Sequence, residues 1–426
     1  MARPSPLSAA LALGALLQCL TPAVAAERDE FDDRRAPPHF VLTSEHLTLT
    51  LKGELEVELH DLQGQGGPGF DSPTDTLTIG TRSPFVELDA FWLALRLNFG
   101  GGVSVNSVLE FSTTGARLGA VWADLRVAAP CWLEHHVELG FALPIAAIDR
   151  RTERYPLLAT QLWREPEMHL AWEGRAWADG PVTVDLGLSL AFMRPLRLAG
   201  VQDSTSQPGT INVLAAGPAA PFSGNGPVGG GRLRLSSYGA FLEVYGFLGE
   251  LADQGGTDVL RSALSSYRQL PGYDQETGGS HAFHWVGGRL GYVDHGVYVW
   301  AEGALSREGL LERRGLYVQA SVAIPLGLET VLHTLEPLLR WERVGLVGST
   351  EVLPSGRALR SPALIDAVAW DWEVWTAALA LAIYRDFVLL RAELAFIFED
   401  NGVPALGIPD EPFRNDEFTL QVQLRF

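Results

Sequence analysis

Asp416 to Phe426 reads D-E-F-T-L-Q-V-Q-L-R-F, and its side chains sort by parity. Phe418, Leu420, Val422, Leu424 and Phe426 are apolar, while Glu417, Thr419, Gln421, Gln423 and Arg425 alternate with them and are polar. Successive side chains of an extended chain point to opposite faces, so this period of two makes one wholly apolar face and one wholly polar face. A soluble sheet also uses that pattern, with the apolar face turned to a core. Here the alternation runs to the terminal residue, which in soluble proteins usually frays and is polar. That favours an apolar face covered by lipid. His46 to Leu59 repeats the pattern: Leu47, Leu49, Leu51, Leu55, Val57 and Leu59 alternate with Thr48, Thr50, Lys52, Glu54, Glu56 and Glu58. So many charges in series are foreign to a soluble core strand.

The first residues suit export. Met1 to Ala26 carries Arg3, an apolar run Leu11 to Leu17 and the small residues Ala23, Val24, Ala25 and Ala26, the layout of a secretory signal cleaved after Ala25. Its apolar core is shorter than the ~20 residues a transmembrane helix needs. Cys19 offers an alternative lipoprotein site, against which Gln18 speaks because a small residue is expected there. Cys131 is then the one cysteine of the mature chain, which excludes an internal disulfide and a multi-cysteine metal site. The net charge of -19 argues against nucleic acid as a partner. With no apolar stretch long enough for a helix, an integral membrane protein of this sequence is a closed barrel.

The alternation predicts strands at about 46 to 59, 85 to 99, 103 to 111, 117 to 127, 133 to 143, 167 to 176 and 181 to 193. Beyond an irregular region it predicts 232 to 248, 283 to 293, 296 to 306, 315 to 324, 336 to 346, 369 to 384, 387 to 398 and 416 to 426. Short links at Gly100 to Gly102, Ala128 to Cys131, Ala178 to Gly180, Asp294 to Gly296 and Arg385-Asp386 take turns with longer segments at about 60 to 84, 144 to 166, 347 to 368 and 399 to 415. Membrane barrels place short turns on the periplasmic side and longer loops outside. Counting sides from both ends leaves a parity conflict between 194 and 282. A strand at Gly209 to Gly217, with Ile211, Val213 and Ala215 in register, resolves it and makes the count even. The expected architecture is all-β: residues 1–25 a signal, 26–45 a periplasmic lead-in, and 46–426 a transmembrane antiparallel barrel of about sixteen strands. Leu47, Leu49, Leu51, Val57, Phe418, Leu420, Val422, Leu424 and Phe426 should face lipid; Lys52, Glu54, Glu56, Gln421, Gln423 and Arg425 should face the lumen.

The closing strand resembles that of bacterial outer-membrane proteins, and the resemblance implies that the barrel-assembly machinery reads Phe426 as an assembly signal. L-T-L-T-L-K-G-E-L-E-V-E-L at 47 to 59 resembles the opening strand of the phosphate-selective porin O/P type, and G-A-V-W-A-D-L-R-V at 119 to 127 with E-L-G-F-A-L-P-I at 138 to 145 is similar to its third-to-fifth-strand region. The family's glycine and lysine at the loop entry are missing and Lys52 is the only lysine, so a lysine-rich phosphate site is not implied. The resemblance implies a porin in outer-membrane lipid, assembled as a homotrimer, passing small hydrophilic solutes or ions, with no cofactor. A barrel of 16 to 18 strands leaves an aqueous channel. In such porins the third outer loop narrows the pore; here it is Pro144 to Pro166, with Arg150, Arg151, Arg154 and Arg164 against Asp149, Glu153 and Glu165. Arginines in a constriction favour anions, because charge in a narrow site is poorly screened. Pairing with the adjacent acids on a solvated loop is the alternative use of these arginines.

Other constellations point less far. His135 and His136 fall on opposite faces of one strand and no acidic residue has the spacing of a further ligand, so with Cys131 they are expected to make no metal site. His281 and His284 are expected in an outer loop. Trp132, Trp163, Trp172, Trp177, Trp285, Trp300, Trp370, Trp372 and Trp375 sit on strands or near their ends, where either an aromatic girdle or packing would use them. Thr257 to Tyr267 has helical spacing and suits a short helix in an outer loop, or a plug or lid. No enzyme is expected from these residues; the alternatives are a barrel hydrolase and an exported soluble β-sandwich that binds sugar.

Overall fold

The computed structural model describes residues 40–62, 69–71, 76–78, 85–112, 115–129, 133–142, 167–177, 182–192, 196–197, 215–216, 227–250, 282–308, 311–328, 331–347, 358, 360, 369–384, 387–410 and 416–426. Sixteen long strands close on themselves. They are β1 (Thr48–Leu62), β2 (Phe85–Asn98), β3 (Val103–Ser112), β4 (Gly115–Ala129), β5 (Leu133–Ala142), β6 (Glu167–Trp177), β7 (Val182–Phe192) and β8 (Pro227–Ser237). The second half comprises β9 (Ala240–Glu250), β10 (Ala282–Asp294), β11 (Val297–Glu308), β12 (Leu311–Val322), β13 (Leu332–Leu346), β14 (Asp371–Ile383), β15 (Val388–Asp400) and β16 (Glu417–Arg425). Each pairs antiparallel with its sequence neighbour, and β16 returns to β1 through a register from Glu54↔Arg425 to Leu62↔Glu417. Two short strands complete exposed edges: Phe40–Thr43 pairs with the start of β1, and Ile324–Leu328 with the start of β13. The expected signal at 1–25 and most of the lead-in lie outside the described residues.

The even count holds, but the sixteenth strand is not at Gly209 to Gly217. Of that segment Ala215–Ala216 is described, and it pairs with Leu196–Arg197 in a separate two-stranded sheet. The extra strand comes from the expected single strand 232 to 248, which folds into the hairpin β8–β9 about Tyr238 and Gly239. Both have positive φ, 46° and 79°, as the central residues of a type I′ turn do; the β10–β11 hairpin repeats this at His295 and Gly296. Tyrosine at the first turn position is an unusual choice, because a non-glycine residue there carries steric strain. That is why the break is hard to see in sequence.

The faces are inverted relative to a soluble protein. In β16 the polar side chains Glu417, Thr419, Gln421, Gln423 and Arg425 are buried, while Leu420 and Leu424 are exposed. In β13 Leu339 is 67 % exposed and Glu342 is 0 % exposed. Apolar side chains therefore cover the outside and polar ones line the inside, the facing expected of a barrel in lipid. Bulges keep this phase. Asp89 is skipped in the β1–β2 register between Glu56↔Ala90 and Val57↔Leu88, so Val86 and Leu88 stay outside together with Leu93.

Phe426 completes the seam. Its N–H donates to the Gly53 carbonyl at 3.0 Å and its carbonyl accepts from the Gly53 N–H at 2.7 Å. A Cβ on Gly53 would lie 2.2 Å from the Phe426 ring, so the ring occupies the space the glycine leaves open.

Val422→Arg should cost ~2 to 4 kcal/mol of stability near the membrane midplane, whereas Gln423→Arg should be tolerated. Denaturant unfolding of refolded protein in lipid reads both, and equal effects at the two positions contradict the facing. Deleting Phe426 should lower the amount of assembled, heat-modifiable barrel at the cell surface; unchanged levels mean the seam residue is dispensable.

Candidate functional site

The candidate site is the lumen wall, and every strand contributes to it through alternate residues. Within the first few residues from the short-turn end, the inward side chains form a charged belt. Arg96 Nε of β2 donates to Asn106 Oδ1 of β3 at 2.6 Å, and Asn106 Nδ2 donates to Asp124 Oδ2 of β4 at 3.1 Å. Asp124 Oδ1 contacts His136 Nε2 of β5, whose Nδ1 stands 3.6 Å from Glu173 of β6. Arg232 of β8 donates to Glu173 at 2.7 Å and reaches Glu243 of β9 at 3.5 Å. Arg289 of β10 lies 2.9 Å from Glu243 and 2.9 Å from Glu302 of β11, and Tyr245 donates its hydroxyl to Glu302 at 2.5 Å. The Arg289 guanidinium also stacks over the Tyr245 ring, 4.7 Å from its centroid.

Small residues make this belt continuous. Strand β7 separates Glu173 from Arg232 and presents Gly187 in register with both. Strands lie ~4.8 Å apart, and with no side chain on Gly187 the arginine spans the gap. Tyr245 needs similar room: a Cβ on Gly287 would meet its hydroxyl at 2.3 Å.

A second ladder runs along the seam. Arg425 donates to Glu54 at 2.8 Å, Gln423 to Glu56, and Gln421 to Glu58 at 2.5 Å. Trp92 donates to Glu54 at 3.2 Å, and Arg391 to the Gln421 oxygen at 2.8 Å. Higher on the wall, Val108, Ala120, Trp122 and Ala142 form a buried apolar patch with Trp92 and Ala94 packed on it. Ala142 is the last residue of β5, where the third long-end connection leaves the wall. At the long-loop mouth Arg360 donates to the Gly402 carbonyl at 3.0 Å and lies 3.0 Å from Asp371, tying two outer connections together. Trp370 and Trp372 stack there, 5.5 Å apart.

Of the residues expected at the site, Arg150, Arg151, Arg154, Arg164, Asp149 and Glu153 lie outside the described residues; Thr257 to Tyr267, Cys131 and His281 do too. Their connection, 143–166, is the third on the long-loop end. His135 and His136 part as expected: His135 packs by Trp172, 5.8 Å between rings, on the outer face, and His136 joins the belt. His284 is not in a loop; it lies within β10, paired with Leu248 and Arg307. The tryptophans divide. Trp375 is exposed outside, whereas Trp285, Trp370 and Trp372 are buried. Sequence reading missed the carboxylates beside His136: Asp124 and Glu173 come from the two neighbouring strands, and Glu138, two residues along the same strand, joins them only once the sheet is paired. A hairpin centred on Cys131 puts Asp124 opposite Glu138, so the β4–β5 register was the signal available.

No family model matches the chain, and no curated protein matches it. Solved structures do. OmpT, an outer membrane protein of Vibrio cholerae, superposes with a TM-score of 0.52 at 8 % identity over 91 % of this chain and 99 % of that one. OmpF of Salmonella typhi, solved in complex with daunomycin, gives 0.52 at 10 % over 91 % and 100 %. The outer membrane channel DcaP of Acinetobacter baumannii gives 0.51 at 9 % over 90 % and 99 %. At such identities the likeness is one of fold: this chain has the architecture of an outer-membrane β-barrel.

Proposed function

We propose that the protein is an outer-membrane porin, exported on residues 1–25 and passing small hydrophilic solutes by passive diffusion. The observation that carries this is the polar lining of a closed sixteen-stranded barrel, a size that leaves an aqueous channel rather than a packed interior. Diffusion needs no catalytic residue and no cofactor. In this reading a homotrimer sits in outer-membrane lipid, delivered by the barrel-assembly machinery through Phe426.

The third outer connection is the proposed constriction, with Arg150, Arg151, Arg154 and Arg164 outnumbering Asp149, Glu153 and Glu165 and giving a preference for anions. The apolar patch around Trp122 supports it. Apolar side chains facing a water-filled lumen are unfavourable unless another segment covers them, and Ala142 within the patch is the root of that connection.

Planar-bilayer recordings under a salt gradient test the reading. Replacing the four arginines with glutamine should move the reversal potential towards cation preference with conductance retained. An unmoved potential places the filter elsewhere, on wall acids such as Glu54 and Glu56. Absence of conductance in refolded wild type refutes the porin itself.

A further inference from the structure

We propose that the lumen wall carries a binding site for a divalent transition-metal ion, of which zinc is the type, with Asp124, His136 and Glu138 as ligands and Glu173 as the residue that orients the imidazole. The three donor atoms all lie within 4.8 Å of one another. Asp124 and Glu138 are directly paired across the β4–β5 hairpin, and His136 lies two residues from Glu138 on the same face of β5. The rigid ladder, rather than a loop, therefore sets the spacing.

Asp124 and His136 are held from behind. Asn106 takes Asp124 Oδ2 at 3.1 Å, leaving Oδ1 turned to His136. His169 approaches Glu138 Oε1 at 3.7 Å, while Oε2 faces His136 Nε2 at 3.9 Å. His169 is fixed in turn by its Nδ1, which lies 3.0 Å from the Ala142 carbonyl and, facing an oxygen that only accepts, carries the hydrogen. Glu173 lies 3.6 Å from His136 Nδ1. Metal-ligating histidines characteristically give their other ring N–H to a carboxylate, which fixes the tautomer and leaves the far nitrogen for the ion. Arg232 anchors Glu173 at 2.7 Å.

The charge pattern singles out this part of the belt. Farther round, Glu243, Glu302 and Glu342 face the guanidiniums of Arg232, Arg289 and Arg340. Arginine stays protonated and is no metal ligand. At His136 the carboxylates of Asp124 and Glu138 meet an imidazole, with Glu173 shared between it and Arg232, and an imidazole is a group that a metal ion takes as a ligand in its neutral form. One nitrogen and two oxygens is a donor set suited to zinc and its first-row neighbours rather than to calcium or magnesium. Bonds of ~2.0 to 2.2 Å are reached by small side-chain movements, and lumen water supplies a fourth position.

Calorimetric titration of zinc chloride into the refolded full-length barrel tests the site, and the readout does not depend on conduction. Wild type should bind one ion per chain saturably. His136→Gln should abolish that binding, and Glu173→Gln should weaken it by roughly 10- to 100-fold as second-sphere carboxylates do. His135→Gln, on the lipid face, should leave it unchanged. Heat-modifiable migration verifies that each variant is folded; should His136→Gln fail to fold, Glu138→Gln takes its place with the same expected loss. No saturable binding by wild type, or equal binding by wild type and the folded ligand variant, overturns the proposal.

Discussion

Everything in this molecule depends on closing the seam between β1 and β16. In lipid no water is present to satisfy a free strand edge, so each exposed N–H and C=O costs several kcal/mol and an open sheet is not viable. Closure brings Glu58 and Gln421 together across 363 residues, a long-range pairing that local structure cannot prepare. Side chains then decide its register. Glu54 meets Arg425, Glu56 meets Gln423 and Glu58 meets Gln421 on the inner face, while Phe426 covers Gly53 on the outer one. A slip of one residue turns the leucines of the shifted strand inward and its polar side chains into lipid. The seam is thus specified from both faces at once.

The same alternation forces charge into the wall, and the wall manages it by pairing. Removing a carboxylate or guanidinium from water is costly, and its partner repays that only with good geometry. The belt from Arg96 to Glu302 meets this by giving interior arginines two carboxylates each: Arg232 serves Glu173 and Glu243, and Arg289 serves Glu243 and Glu302. Such shared pairs add little net stability against apolar isosteres. They do fix neighbouring strands to a common level, because every link joins residues on different strands. Gly187 extends the rule, for it lets Arg232 act across an intervening strand.

What the sequence made legible follows from the same physics. Period-two runs are a local property, so the strands, their facing and the even count were readable from residues such as Leu47 to Leu59 and Phe418 to Phe426. The hairpin at Tyr238-Gly239 was not, because the turn carries no asparagine or aspartate of the kind that usually marks type I′, and its one local trace is a change of phase from Leu233 and Leu235 to Leu242, Val244 and Leu248. Parity forced an extra strand between 194 and 282, and the alternation of Ile211, Val213 and Ala215 drew it to the wrong place within that interval. The belt was less legible still. Residues lining it are tens of positions apart, Glu173 and Arg232 among them, and only the pairing register brings them together. His136 shows the difference: its face was readable from one strand, its carboxylate company only from three.

In the proposed channel, selectivity would turn on which charges remain after this pairing. Where Arg232 and Arg289 alternate with Glu173, Glu243 and Glu302, pairing cancels most of the charge and leaves one carboxylate in excess, so this stretch would give only a slight preference for cations. The total of -19 is equally uninformative, since charges farther than about 8 Å from a permeating ion are largely screened at physiological salt. Glu56 is different in kind. The Gln423 amide orients it without cancelling its charge, so it acts as a cation-favouring element on the seam. In the proposed reading, the arginine excess of the third connection would oppose it. With the belt's charge largely paired and the remaining charge of both signs local, the narrower of the two places would dominate, because there the ion sheds the most water and the field is least screened.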